Sequence, residues 1–145
     1  MISDILSFKG YAGWTCGEDY ASLTWDAAAA GRDKPTEAEI ATWGAENLKC
    51  AARQQIDAQR NAALTVGCLY KGKLYPFDDV MIAAITGRLV RWREGRIPVD
   101  AKLPVRLKDN SIELLSRDEH LDLADALSDH GESIYAAAWA AKDAL

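Results

Sequence analysis

Two stretches, Thr36-Glu37-Ala38-Glu39 and Ser116-Arg117-Asp118-Glu119, constrain this chain more than any others. Each sets a hydroxyl at the position where a helix begins and a carboxylate three residues on. The two side chains can then satisfy one another's otherwise unbonded backbone N–H groups, and the acids favour the positive end of the helix dipole. The first signal predicts a long helix from about Glu37 to Leu64. The second predicts one that runs from Ser116 to the C-terminus despite Gly131. Apolar residues along the first (Ile40, Trp43, Leu48, Ala51, Ala52, Ile56 and Ala63) are sparse for a core helix, so it is expected to bridge lobes or seek a partner helix. The second carries Leu121, Ala124, Leu127, Ile134, Tyr135, Ala138 and Trp139 at helical spacing.

Between these signals lie a hairpin, a helix and a second hairpin. Residues Thr65 to Tyr70 and Lys73 to Phe77 suit strands, with Lys71-Gly72 as the tight turn. A phosphate-cradling loop would need several glycines plus Lys and Ser/Thr at fixed offsets, and this stretch has one glycine. Asp78 caps a helix through about Arg93, closed by Gly95. Residues 97–107 read as extended, Asp109-Asn110 as a turn and Ser111 to Leu115 as the returning strand. Ahead of all this, Gly10, Gly13 and Gly17 punctuate an aromatic stretch that predicts two short strands around Gly17-Glu18-Asp19, followed by a linker over residues 26–34. The expected architecture is α+β: a small antiparallel meander of two hairpins packed with about three helices over residues 34–145, preceded by an N-terminal aromatic hairpin and linker over residues 1–33.

With 145 residues, 49% of them hydrophobic and 27% charged, the chain has the composition of an ordinary folded domain. A net charge of −5 with dispersed basic residues lacks the electrostatic footprint of a nucleic-acid binder. The densest basic group, Arg88, Arg91, Arg93 and Arg96, reads as a solvated helix face. No run approaches the roughly 18 apolar residues that span a bilayer, and the start M-I-S-D-I-L lacks a secretory pattern, so no membrane partner is expected.

Catalytic signals are sparse. Cys16, Cys50 and Cys68 show no metal or disulfide spacing. His120 and His130 are ten residues apart on one predicted helix, too far around the axis to share a metal. The nearby acids Asp118, Glu119, Asp122, Asp125 and Asp129 read as its solvated exterior. Ser111, Ser116, Ser128 and Ser133 fall at turn, cap or exposed helical positions, and the pairs Asp78-Asp79 and Glu18-Asp19 belong to a cap and a turn. The expectation is no catalytic residue, no metal and no cofactor; a small hydrolase built on Cys50 or Cys68 with His120 is the enzymatic alternative. Among the five tryptophans, Trp92 and Trp139 are expected in the core. Trp14, Trp25 and Trp43, with Tyr20, are the candidate partner-binding residues.

The stretch G-E-D-Y-A-S-L-T-W followed by K-P-T-E-A-E-I resembles small proteins encoded beside tailed-phage tail-fibre genes. The segment A-A-R-Q-Q-I-D-A-Q-R-N-A-A-L-T-V-G-C-L-Y-K-G-K-L-Y-P-F-D and then S-I-Y-A-A-A-W-A-A-K-D-A-L is similar to an uncharacterised C-terminal domain that recurs in phage tail-fibre and tail-assembly proteins. This resemblance spans most of the chain. It implies a non-enzymatic virion or assembly protein that binds a tail-fibre or baseplate partner, made in the host cytoplasm and located in the tail, with a homo-oligomer compatible. A fibre-assembly chaperone absent from the mature virion and a bacterial protein-binding adaptor are the alternatives.

Overall fold

The computed structural model describes residues 2–16 and 19–145. Gly17 and Glu18, where the sequence places the N-terminal turn, lie outside the described residues. The chain divides into two compact units, one ending at Gln55 and one spanning Ile56–Ala144. The division falls inside a helix; the boundary expected near Lys34 lies within the first unit.

The first unit contains α1 (Ile2–Phe8), β1 (Trp14–Thr15), β2 (Thr24–Trp25), α2 (Ala27–Ala30) and the opening turns of α3 (Glu37–Val66). The aromatic hairpin is present, pairing Trp14 with Trp25 and Thr15 with Thr24 in antiparallel register. Two helices join it that the sequence reading omits. In α1, Ile2, Ile5 and Leu6 recur at helical spacing and Leu6 is fully buried, closing a small core with Leu23 and Ile40. The stretch read as linker forms the single turn α2, because Asp26 accepts hydrogen bonds from the Ala28 and Ala29 N–H groups (3.0 and 3.2 Å) and alanine has the highest helix propensity.

The capping box of α3 forms as the sequence indicates. Thr36 Oγ1 accepts from the Glu39 N–H (3.2 Å) and Glu39 Oε2 accepts from the Thr36 N–H (2.7 Å). These bonds to Thr36, with the Arg32 guanidinium at 2.8 Å, hold the Glu39 carboxyl down to about 2.

The second unit contains the remainder of α3, then β3 (Cys68–Tyr70), β4 (Lys73–Tyr75), α4 (Asp79–Arg93), β5 (Leu103–Arg106), β6 (Ile112–Leu115) and α5 (Arg117–Asp143). The fold is α+β, with antiparallel hairpins and covering helices, as expected. Thr65 and Val66, read as strand, are instead the last residues of α3. The Lys108 ammonium group donates to the carbonyls of both, at 2.8 Å for Val66, so a cation satisfies the negative end of the helix. At the next turn Lys71 and Gly72 both take positive φ (48° and 75°), the geometry of a two-residue hairpin turn. Lys71-Gly72 is therefore the hairpin turn that the sequence predicts.

Each hairpin is a separate two-stranded ladder, and the Lys108 N–H donates to the Leu74 carbonyl (2.9 Å) to tie them together. Their inner faces place Tyr75, Val105 and Leu115 against Leu123 and Leu127 of α5 and Ile85 of α4, all buried. Leu69, Leu74, Ile112 and Leu114 lie on the outer side and are exposed. Ser116 and Glu119 form the second capping box, at the start of α5.

Candidate functional site

Helices α4 and α5 pack antiparallel, as two aromatic contacts at opposite ends show. Phe77, just ahead of α4, lies against Gly131, where an added Cβ would stand 2.8 Å from the ring. A glycine lets the ring approach α5 this closely. At the far end Trp92 meets His120 with ring centroids 4.9 Å apart, and its indole N–H donates to the Pro98 carbonyl at 2.9 Å. Helix α4 has 15 residues and α5 has 27. At about 1.5 Å per residue α5 outruns its neighbour by roughly 18 Å. Its final turns continue past Phe77 with their apolar face uncovered by α4.

That mismatch opens a groove of about 880 Å³, lined chiefly by Phe77, Ile82, Leu127, Gly131, Tyr135 and Trp139. Trp139, expected in the core, is instead 61% exposed, while Trp92 is buried as expected. Tyr135 lies beside Trp139 with centroids 6.0 Å apart, and the Arg60 guanidinium covers its ring at 5.6 Å. Glu132 lines the groove, and Asp125 and Asp129 stand exposed on the two preceding turns of α5. Among the described residues, none of these three has a basic group within ion-pair distance. Asp57, Glu119 and Asp122 in the same unit do, through Arg60, Lys142 and Lys71. Glu132 accepts a hydrogen bond from the Ser128 hydroxyl at 3.3 Å.

The two histidines sit at opposite ends of the α4–α5 contact, so they do not share a site. His130 packs edge-on to Phe77 at 5.2 Å. His120, among acids that read as a solvated exterior, is fully buried. Its position three and seven residues before Leu123 and Leu127 continues the buried stripe, a signal the sequence offered. Nδ1 is 2.9 Å from the Ser116 carbonyl, which only accepts, so Nδ1 carries the proton and Nε2 faces the Arg88 guanidinium at 3.4 Å as an acceptor.

Burial, with Arg88 nearby, lowers the His120 pKa, opposed by the Ser116 carbonyl and Glu119. The unfolded chain therefore takes up a proton that the folded one resists. Stability should be intact above the ordinary imidazole pKa of about 6.5 and should fall as the pH drops below it. A urea-denaturation series from pH 7.5 to pH 5 checks this against His120→Asn, which should flatten the dependence. An unchanged slope would assign it to other groups.

Cys68 is buried, its thiol faces the Ala126 carbonyl at 3.4 Å, and burial pushes its pKa up, away from a reactive thiolate. Ser111, Ser116 and Ser133 spend their hydroxyls on turn, cap and helix-backbone bonds. No group of three or more His, Cys, Asp or Glu side chains suited to a metal occurs among the described residues. No helix there is long and apolar enough to cross a membrane.

Of the sequence-derived partner residues, Trp14, Tyr20, Trp25 and Trp43 all gather around the small core of the first unit, each half-buried. Trp14 donates to the Tyr11 carbonyl, Trp25 to that of Arg32 and Tyr20 to that of Pro35. Trp43 is covered by Lys9 and Arg32. Trp14 and Trp25 line a shallow depression on the hairpin. The sequence reading missed the groove residues of the second unit; the i, i+4 aromatic pair Tyr135 and Trp139 beside the acids of α5 was the available signal.

A family model described as DUF4376, a domain of unknown function, matches residues 47–145. The chain belongs to the DUF4376 family. The DUF4376 match takes in the whole second unit, and with it the groove, the buried histidine and both hairpins. No curated protein and no solved structure matches the chain.

Proposed function

We propose that this DUF4376 protein is a non-enzymatic bacteriophage tail protein, a fibre-associated structural component or assembly factor that binds a tail-fibre or baseplate partner. The observation that carries the contact role is the α4–α5 groove, with the Trp139 indole 61% exposed beside Tyr135 and Phe77. A large aromatic ring at the mouth of an apolar cleft is the usual anchor of a protein interface, because burying it on association removes much apolar surface from water. The tail assignment rests on the ordered motifs that resemble tail-fibre-associated proteins. Trp14 and Trp25 offer the first unit a second contact, and Tyr20 and Trp43 pack against the same small core.

Co-expression with a tail-fibre or baseplate gene of the same phage, followed by size-exclusion chromatography, tests the proposed role. The expected result is one co-eluting complex, and separate elution from both fibre and baseplate proteins would overturn it. Mass spectrometry of purified particles then decides between roles: stoichiometric presence marks a virion component, and absence marks a chaperone that leaves after assembly.

A further inference from the structure

We propose that the α4–α5 groove is built for one kind of occupant, a basic amphipathic helix of the protein partner; this deepens the contact role proposed above and rests on it. Three features select that occupant. The floor is apolar and aromatic over a volume of about 880 Å³, which favours a strip of aliphatic side chains over an extended polar peptide. On α5 the groove lining runs from Ala124 to Trp139 within one unbroken helix. At about 1.5 Å per residue it offers roughly 22 Å of docking length, enough for about 15 residues of a helical partner.

The third feature is charge. Glu132 lines the groove, Asp125 lies one heptad and Asp129 one turn before it on α5, and all three are exposed with no basic group within ion-pair distance among the described residues. Asp78 and Asp79 stand at the start of α4, near the open end where Phe77 lies. By contrast, Asp57 of the same unit is paired with Lys142 and Arg60, and Glu113 with Lys73. A rim of unanswered carboxylates beside an apolar floor complements lysines or arginines flanking a leucine stripe, and it repels an acidic helix of the same shape. A second copy of this chain would bring the same acidic rim, so it is the less suited occupant.

The test uses two 18-residue helical probe peptides, one of leucine and lysine with the apolar stripe at i, i+3, i+4 and i+7, the other with glutamate replacing every lysine. Binding to the full-length protein is followed by the indole N–H resonances of its tryptophans. The lysine peptide is expected to shift the Trp139 resonance and to bind at least tenfold more tightly than the glutamate peptide. Raising the salt from 50 to 500 mM should weaken it severalfold. Trp139→Ala should weaken it at least tenfold, and Asp125→Lys with Glu132→Lys should invert the preference between the peptides.

Equal binding of both peptides, binding untouched by Trp139→Ala, or concentration-dependent dimerisation abolished by Trp139→Ala would each overturn the proposal. The two readings fail separately. A peptide that does not bind, with a fibre that still co-elutes, removes the groove assignment and leaves the tail role. A peptide that binds as described, with no tail partner retained, does the reverse.

Discussion

Trp92→Ala should cost the second unit about 3–5 kcal/mol, whereas Trp139→Ala should leave its stability within about 0.5 kcal/mol. The two residues share a type and a helical setting; what differs is what covers them. Trp92 is 6% exposed, its ring packs edge-on to His120 and its N–H is bonded to the Pro98 carbonyl. Truncation opens a cavity beside His120 and removes the indole hydrogen bond to the Pro98 carbonyl, which is left with the one from the Ala101 N–H. Trp139, at 61% exposed, loses little burial when removed. Urea denaturation followed by circular dichroism separates the cases. Equal losses for both variants would mean that Trp139 belongs to the core after all, and the docking groove would lose its anchor.

Among the described glycines, Gly67→Ala should be the most damaging, at about 3 kcal/mol or more. Gly67 joins α3 to β3 at φ 100°, a region that side-chain-bearing residues avoid, and its added Cβ would fall 2.5 Å from the Tyr75 carbonyl oxygen. That oxygen is backbone in a strand whose own Tyr75 side chain is fully buried, so neither partner can yield cheaply. Gly87→Ala is the matched control. Gly87 lies inside α4 with open space around the new methyl, and alanine there should stabilise by about 0.5–1 kcal/mol. A Gly67→Ala protein that unfolds at the same urea concentration as the parent would show that the hairpin shifts freely away from α3.

Much of this fold is legible in the sequence where a local rule decides it. Thr36 with Glu39, Ser116 with Glu119 and Asp78 each mark a helix start, because a cap is satisfied within four residues of itself. Lys71-Gly72 sets a turn on backbone preference alone. What the sequence obscured depended on lengths and on distant partners. Thr65 and Val66 have strand-forming side chains, yet Lys108 reaches back from the second hairpin to complete α3 through them. Trp139 has the right phase for a core residue and is uncovered because α4 begins too late along α5 to reach it. His120 sits among acids, and its burial follows from Arg88 and Trp92 across the helix pair. Helical phase says which side of a helix is apolar, and only the neighbour's length says how much of that side is covered.

The same logic explains why the expected partner residues and the proposed site lie in different units. The aromatic density of the first unit is conspicuous in the sequence, but Leu6 of α1, which the reading did not foresee as helical, draws that cluster into a small core with Leu23 and Ile40. The groove of the second unit is made by two ordinary amphipathic helices of unequal length. Its contact character emerges only when they are laid side by side.

Amide hydrogen exchange on the complex with a tail-fibre or baseplate protein tests the central claim most directly. The account predicts slowed exchange at Phe77 to Thr86 and at Gly131 to Ala140, lost when Trp139 is replaced by alanine. Unchanged exchange across both segments in a stable complex would contradict it.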